Sequence, residues 1–255
     1  TGEPLAFMSA NLLSAARTGA VPGVAARHLA RKDSEVVAVL GCGQINKSCL
    51  RSILTQLPNV KKIICYDIFE AAADKFVKWE KEEIGIDAVA EMDLEKAVKD
   101  ADVLTVAASR LKPLYVKDEW LKEGVTVLIT GPMQTDDSFW MSTKLIYDNV
   151  RLHEAYVQEA IDSGDKAGYY KGVIGGPIYT LIDAGKMPKL EDSTSIGEVI
   201  LGEKAGRTDD KERITFVACG MATFDVGLGY DLYHTALDKG IGTKLKLWDD
   251  PYQAK

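Results

Sequence analysis

The amino-acid sequence predicts an α/β fold, a doubly wound parallel sheet of the Rossmann type. Apolar runs of strand length alternate along the chain with segments of helical periodicity, which is the pattern of repeated βαβ units. The first apolar run, Val36–Leu40, is followed at once by the turn Gly41-Cys42-Gly43. The second, Lys62–Tyr66, ends at the acidic residue Asp67. Because such sheets bind ligands beyond the carboxyl ends of their strands, both turns are candidate parts of one binding site.

The turn after the first strand has the pattern Gly-x-Gly-x-x-Asn. Gly41 permits a sharp turn, Gly43 lets the backbone approach a pyrophosphate, and the following helix presents N–H groups and its positive dipole end to phosphate. Asn46 stands where the dinucleotide pattern has a third small residue, so the match is incomplete. An ordinary structural turn is the alternative. We expect a nucleotide phosphate to contact Gly41, Gly43, Gln44 and Ile45.

Asp67 lies about 20 residues beyond the glycine turn, where a carboxylate accepts hydrogen bonds from the ribose hydroxyls of an adenosine. It would also repel a 2′-phosphate, so the expected cofactor is NAD rather than NADP. The alternative for Asp67 is an N-cap of the helix predicted from Glu70.

The remaining strands and helices follow the same alternation. Strands are predicted at residues 86–90, 102–107, 125–129, 149–152 and 213–217. Helices are predicted at residues 24–32, 47–57, 70–83, 94–98, 156–163, 180–184, 195–201 and 222–239, the fourth capped by Asp93. Residues 165–187 are otherwise predicted as loop. The last helix is predicted to bury an apolar stripe of Phe224, Val226, Leu228, Leu232, Ala236 and Leu237.

The ends of two further strands extend the predicted cofactor site. Ala107, Ala108 and Ser109 follow the strand at 102–107, and Gly131 and Met133 follow the strand at 125–129. Ordinary loop chemistry is the alternative for these residues. Their position after successive parallel strands favours contact with the cofactor.

Composition places the chain among globular proteins and narrows its partners. Of its 255 residues, 46% are hydrophobic and 27% are charged, and the net charge is −7. That charge argues against nucleic acid or an anionic membrane as the main partner. No apolar run reaches the ~18 residues of a membrane-spanning helix. The four cysteines show no metal-ligand spacing, so we expect reduced core thiols in a cytoplasmic protein and no metal site.

Three separated blocks carry a family resemblance. The first block, ahead of the glycine turn, contains Arg17-Thr18-Gly19-Ala20, Ala25-Ala26 and Leu29-Ala30-Arg31. The second is the turn itself, Gly41-Cys42-Gly43. The third, towards the end of the chain, contains Gly197-Glu198-Val199-Ile200, Gly206-Arg207-Thr208, Gly220–Asp225 and Gly240–Thr243. In this order they resemble the ornithine cyclodeaminase/mu-crystallin family, and the resemblance extends over nearly the whole chain. It implies a homodimer with a bound nicotinamide cofactor and amino- or imino-acid chemistry.

The resemblance also implies a domain division. Residues 1–20 would end a substrate and dimerisation domain, residues 21–217 would bind NAD, and residues 218–255 would return to the substrate domain. Pro4–Ala10 reads as a strand without a nearby partner, so we expect the chain to be the later part of a longer protein. The fold class expected is therefore a Rossmann sheet with remnants of a second domain from both chain ends.

The resemblance places Arg17 at the substrate, where a guanidinium suits bidentate capture of a carboxylate. Without it, a surface arginine is the default interpretation. For Thr18 two roles stay open, contact with the cofactor phosphate or capping of the following helix.

The chain departs from the family at the general acid/base. Cyclodeaminases carry an aspartate after the fifth strand, and the nearest residue here is Met133, which cannot transfer protons. Asp136 or Asp137 could replace it only in a rearranged loop, and a solvated turn or helix cap is the simpler interpretation. His28, His153 and His234 have no evident partner, so each is predicted at a surface or interface. We therefore name no catalytic residue.

These observations predict an NAD-dependent oxidoreductase that transfers hydride at the Cα of an α-amino or α-imino acid. One alternative is an ornithine cyclodeaminase, in which the hydride returns and ammonia is lost. The other is a crystallin-like protein that binds cofactor or ligand without turnover.

Overall fold

A computed structural model describes residues 4–108 and 114–246 of the chain. These residues form two compact units, one made of residues 15–220 and the other of the chain ends up to Ser14 and from Met221. None of the helices in this described part has the length and apolar content needed to traverse a bilayer.

The larger unit is built on a parallel sheet that has eight strands within the described residues. The strands of the chain are β1 (Val36–Leu40), β2 (Lys62–Tyr66), β3 (Asp87–Ala90), β4 (Val103–Val106), β5 (Leu114–Tyr115), β6 (Thr126–Ile129), β7 (Met133–Gln134), β8 (Lys144–Tyr147), β9 (Thr194–Ser195) and β10 (Ile214–Val217). The sheet has the order β3-β2-β1-β4-β6-β10-β8-β9, and β5 pairs separately with β7. The predicted doubly wound parallel sheet is confirmed.

Apart from the first and the last, the helices lie between these strands in the chain, as the alternation predicted. They are α1 (Asn11–Leu29), α2 (Gln44–Gln56), α3 (Glu70–Glu83), α4 (Leu94–Val98), α5 (Asp137–Ser142), α6 (Val150–Asp162), α7 (Lys166–Gly172), α8 (Gly176–Asp183), α9 (Ile196–Ile200) and α10 (Ala222–Asp238). The predicted Asp93 cap is confirmed, since its side chain accepts from the N–H groups of Glu95 and Lys96 at the start of α4. In place of a helix starting near residue 24, α1 is one continuous helix with Pro22 inside it.

Two hydrophobic cores lie on the opposite faces of the sheet. Alternate side chains of β1 show this division, because Ala38 and Leu40 belong to one buried cluster and Val37 and Val39 to the other. All four are completely buried. The residues of the first strand are continuously apolar because both faces of this parallel strand are covered.

Three local predictions were wrong. Residues 149–152 are not a strand, because Asn149 caps α6 by accepting from the Arg151 N–H, and the strand is β8, just before it. Residues 4–10 form no strand in the structure. The stretch 165–187, predicted as loop apart from a short helix, contains both α7 and α8, since Pro177 stands in the first turn of α8 and starts that helix.

The apolar stripe predicted to be buried on α10 is not buried: four of its six residues are exposed, and Leu228 and Ala236 are half-buried. None of the residues of α10 is buried, and Val226 and Leu237 expose 71% and 57% of their surface. A helical period shows that one face is apolar, but it does not show that the same chain covers that face.

Candidate functional site

The carboxyl ends of β1, β4 and β6 approach one another backbone to backbone at two glycines. Gly41 has a φ of +90°, and a Cβ there would lie 2.9 Å from the Ala108 Cα. A Cβ on Gly131 would lie 3.1 Å from the Ala107 Cα. A side chain at Gly41 would therefore meet both a strained backbone conformation and a collision. The structure brings together the strand ends on which the predicted cofactor site depends.

The glycine turn leads directly into an uncapped helix. Gly43 is the N-cap residue of α2, and no side chain caps that end of the helix. No atom lies within 4 Å of the point where a Gly43 Cβ would stand, and Gly43, Gln44 and Ile45 are exposed. The turn therefore leaves an open cradle beside backbone N–H groups, which fits a pyrophosphate.

Asp67 is tied to the same turn. Its Oδ2 accepts from the Cys42 N–H at 2.9 Å, and its Oδ1 accepts from the Phe69 N–H at 3.1 Å. The N-cap residue of α3 is Phe69, so the capping alternative for Asp67 is wrong. Each carboxylate oxygen can accept a second hydrogen bond, so the half-buried Asp67 retains acceptor sites for ribose hydroxyls.

Asn46, which made the sequence pattern incomplete, has a structural role that the sequence analysis missed. Its buried amide donates to the carbonyls of Leu40 at 2.8 Å and Gly41 at 2.7 Å, and accepts from the Thr105 hydroxyl at 2.9 Å. These bonds join α2 to the ends of β1 and β4. The available signal was a polar residue at a helix position that faces the sheet.

Arg17 and Thr18 lie within α1, which packs closely against α2. A Cβ on Gly19 would lie only 2.4 Å from the Ser48 carbonyl carbon, so the two helices touch there. The Arg17 guanidinium lies against Gly220 just beyond β10, with its Nη1 2.8 Å from the Gly220 Cβ position. Thr18 is half-buried inside a helix that began at Asn11, so it caps no helix.

In the segment that follows β6, residues 130–137, both acidic side chains have partners. The Met133 side chain is buried in the core, and its backbone pairs with Leu114 in the sheet of β5 and β7. Asp136 is the N-cap residue of α5 and accepts from the Tyr115 hydroxyl and the Asp118 N–H. Asp137 pairs with Lys186 at 3.2 Å. Ser109, the remaining predicted cofactor contact, lies outside the described residues.

His153 is fully buried, so its prediction as a surface or interface residue was wrong. Its ring contacts Asp148 and Tyr179 rather than the glycine turn. His28 is half-buried and His234 is exposed.

The four cysteines are free thiols, as expected. Burial raises the pKa of the Cys49 thiol to about 11 and that of Cys219 to about 12. Both are therefore protonated near neutral pH and are weak nucleophiles. No three His, Cys, Asp or Glu side chains come together as a metal site within residues 4–108 and 114–246.

Comparison with known proteins gives a consistent result. The profile of the ornithine cyclodeaminase/mu-crystallin family matches residues 1–240. The chain is 34% identical over 256 residues to an alanine dehydrogenase of Archaeoglobus fulgidus, an alignment that covers 97% of this chain and 71% of that protein.

Two solved structures are similar to this fold. The Thermococcus litoralis Δ1-pyrroline-2-carboxylate reductase in complex with NADH and L-proline has a TM-score of 0.81 and 27% identity, covering 96% of this chain and 71% of that one. An archaeal alanine dehydrogenase dimer with bound NAD has a TM-score of 0.78 and 32% identity, covering 97% and 72%.

Proposed function

The chain belongs to the ornithine cyclodeaminase/mu-crystallin family, and from this premise we propose that it is an NAD-dependent oxidoreductase acting on an α-amino or α-imino acid. The predicted family resemblance is confirmed. The observation that carries the proposal is the pairing of an open, uncapped helix N-terminus at Gly43 with Asp67, which is bonded to the same turn through the Cys42 N–H. Phosphate and ribose recognition are thus adjacent.

The residues at the carboxyl ends of β1, β2, β4 and β6 fit NAD. Gly41, Gly43, Gln44 and Ile45 would hold the pyrophosphate, and Asp67 would accept from the adenosine ribose hydroxyls. Thr18, Ala107, Ala108, Gly131 and Met133 would line the remainder, with Met133 contributing only its backbone because its side chain is in the core. When bound, NAD+ would accept a hydride from the substrate Cα, and in the reverse direction NADH would donate one to it. The carboxylate of Asp67 beside the ribose favours NAD over NADP, since it repels a 2′-phosphate.

Arg17 would bind the substrate carboxylate. Its guanidinium presents a planar fork of donors that matches a carboxylate, and it is half-buried, which limits competition from water. Holding the substrate Cα in one position relative to a cofactor at the carboxyl ends of the strands supplies the orientation that hydride transfer requires. The entropy lost when the substrate is ordered is thereby offset by binding at its carboxylate rather than at its reacting carbon.

Net oxidation or reduction is favoured over deaminating cyclisation. Cyclisation with loss of ammonia needs a proton-transferring group where the family carries an aspartate, and here the buried Met133 is nearest to that position. The carboxylates of Asp136 and Asp137 are engaged by Tyr115, the Asp118 N–H and Lys186. Hydride transfer and a carboxylate clamp do not require an acid at this position.

We further propose that the chain ends, residues 1–20 and 218–255, belong to a substrate and dimerisation domain and that the protein is a homodimer. The exposed apolar face of α10, with Val226 and Leu237, supports this assembly because such faces are covered in functional oligomers.

The experiment that tests the proposed function follows the near-ultraviolet absorbance of NADH with full-length protein. The forward series combines NAD with a panel of amino acids, and the reverse series combines NADH with cyclic imino acids or with keto acids and ammonia. We expect a net absorbance change with at least one substrate. Ammonia released from ornithine without a net change would instead establish a cyclodeaminase. NAD binding without a net absorbance change or ammonia release in either series would establish a protein that binds its ligands without turnover.

A further inference from the structure

A buried carboxylate holds the turn that follows β10. Both backbone N–H groups of that turn, from Cys219 and Gly220, donate to Asp148 Oδ2 at 2.9 Å. The other oxygen, Oδ1, accepts from His153 Nε2 at 3.0 Å and from the Asn149 N–H at 2.9 Å. Asp148 therefore receives four hydrogen bonds, which satisfies the acceptor capacity of an ionised carboxylate removed from water.

His153 extends this network to a tyrosine. Its Nδ1 lies 2.6 Å from the Tyr179 hydroxyl, and the ring and that tyrosine are both essentially inaccessible to solvent. Because an ionised carboxylate can only accept, His153 carries its proton on Nε2 and donates to Asp148. Its Nδ1 is then an acceptor, and the Tyr179 hydroxyl donates to it. Asp148 thus selects the tautomer of His153, and the Tyr179 hydroxyl satisfies the ring nitrogen that remains.

The turn held by Asp148 lies against Arg17. Gly220 has a φ of +83°, and its Cβ position is 2.8 Å from the Arg17 Nη1. The Gly220 backbone therefore borders the guanidinium, and any side chain at position 220 would displace it. The hydrogen bonds run from Tyr179 through His153 and Asp148 to the Gly220 backbone, and the last step to Arg17 is a packing contact.

We propose that Tyr179, His153 and Asp148 are positioning residues, which set the Arg17 guanidinium for the substrate carboxylate by holding the Cys219–Gly220 turn. The inference rests on the proposed function, because it assumes that Arg17 binds this carboxylate. None of the three side chains touches the substrate. Their effect is on substrate affinity, and the cofactor cradle at Gly43 lies outside their hydrogen-bond chain.

The test compares Tyr179→Phe with wild type in the full-length protein, using NAD and L-alanine, or the fastest substrate of the amino-acid panel if alanine is not turned over. Phenylalanine keeps the ring and removes the donor, so Nδ1 of His153 is left buried without this partner and the ring is held less firmly against Asp148. We expect the KM for the amino acid to rise about tenfold, which is the change typical of a buried group left without its bond. The Kd for NADH, measured by fluorescence, should not change.

Tyr170→Phe is the matched control. Tyr170 is buried, packs edge to face on Tyr179 with ring centroids 5.4 Å apart, and its hydroxyl is not part of the hydrogen-bond chain from Tyr179 to Gly220. It should leave the KM for the amino acid unchanged. His153→Phe should raise that KM, and His153→Gln should restore it in part, because the glutamine amide can still donate to Asp148.

A double-mutant cycle with Arg17→Lys identifies the route of the effect. If the network acts through Arg17, the Tyr179→Phe effect on KM disappears in the Arg17→Lys background. A Tyr179→Phe protein with a lower Tm but wild-type KM would overturn the inference, as would an equal rise in KM in both backgrounds. If Arg17→Lys itself left the KM unchanged, the carboxylate clamp of the proposed function would be wrong, a result distinct from failure at Tyr179.

Discussion

The Thr105 hydroxyl donates to the Asn46 Oδ1 at 2.9 Å, and both residues are completely buried. The bond joins β4 to α2 below the glycine turn, while the Asn46 amide donates to the two carbonyls at the end of β1. An amide thus occupies the position where dinucleotide-binding turns use a small residue for close packing. It holds the cradle by hydrogen bonds instead.

We expect Asn46→Ala to lower the free energy of unfolding by about 2–4 kcal/mol, because the substitution leaves two carbonyls and a hydroxyl buried without this partner. Urea denaturation followed by circular dichroism measures the change. The control is Asn59→Ala, since Asn59 donates to the Lys32 carbonyl from an exposed position, and it should cost under about 1 kcal/mol. Equal losses in the two proteins would contradict the assigned role of Asn46.

The contact between α1 and α2 requires a glycine at position 19. We expect Gly19→Ala to destabilise the protein by about 1–3 kcal/mol, because the new methyl group meets the backbone of Ser48 and overpacks the helix crossing. Gly197→Ala in α9 is the control, since no atom lies within 4 Å of its Cβ position. Its Tm should stay the same or rise slightly, because alanine favours the helix. A stable Gly19→Ala protein would show that the helices separate at little cost.

Cofactor choice should depend on Asp67. We expect Asp67→Asn to weaken NADH binding about tenfold and to reduce the preference for NADH over NADPH, since the charge that binds ribose and repels a 2′-phosphate is lost. Fluorescence titration with both cofactors gives the two Kd values. Asp93→Asn, at the cap of α4, should change neither. An unaltered NADH to NADPH ratio in the Asp67→Asn protein would remove Asp67 from the cofactor site.

Stability at acid pH should depend on Asp102. Burial disfavours its charge, but hydrogen bonds from Lys122 and from the N–H groups of Glu35 and Val36 outweigh burial and lower its pKa below the ordinary 3.8. A lowered folded-state pKa stabilises the protein above pH 3.8, and this contribution is lost as the pH falls through the folded-state value.

We expect Asp102→Asn to cost about 3 kcal/mol near neutral pH, because Arg31 and Lys122 lose a partner that is 6% exposed. The variant should also lose stability less steeply than wild type below about pH 4. Urea midpoints from pH 7 to pH 2.5 measure both effects. Asp100→Asn, at an exposed position two residues earlier, is the control. If the urea midpoints of wild type and Asp102→Asn fell equally steeply below about pH 4, Asp102 would not be a cause of the loss of stability at acid pH.

The parts of the fold that could be predicted were those determined locally. The predicted bounds of β2 and α3 are confirmed because each segment carries its own apolar run or helical period. The glycine turn was found for the same reason. Residues 149–152 misled because their apolar side chains suit a strand or a helix, and the capping preference of Asn149 decides for the helix.

The rest of the site depends on pairs that are distant in sequence. His153 meets Tyr179, 26 residues away, and Thr105 meets Asn46, 59 residues away. No spacing rule connects such residues, because their contact arises only once the sheet is assembled. The exposure of α10 has a similar cause, since periodicity identifies an apolar face but not the molecule that covers it.

The position of β10 between β6 and β8 has a consequence for the nascent chain during synthesis. It is the last strand among the described residues to leave the ribosome, yet it lies between β6 and β8 and pairs with both. Until residues 214–217 emerge, β6 and β8 each carry an open edge that no earlier segment of the sheet fills. Open edges of this kind pair readily with other chains. Synthesis that stops before Ile214 should therefore yield aggregates, and chaperones that shield nascent strands should be needed until residues 214–217 have emerged.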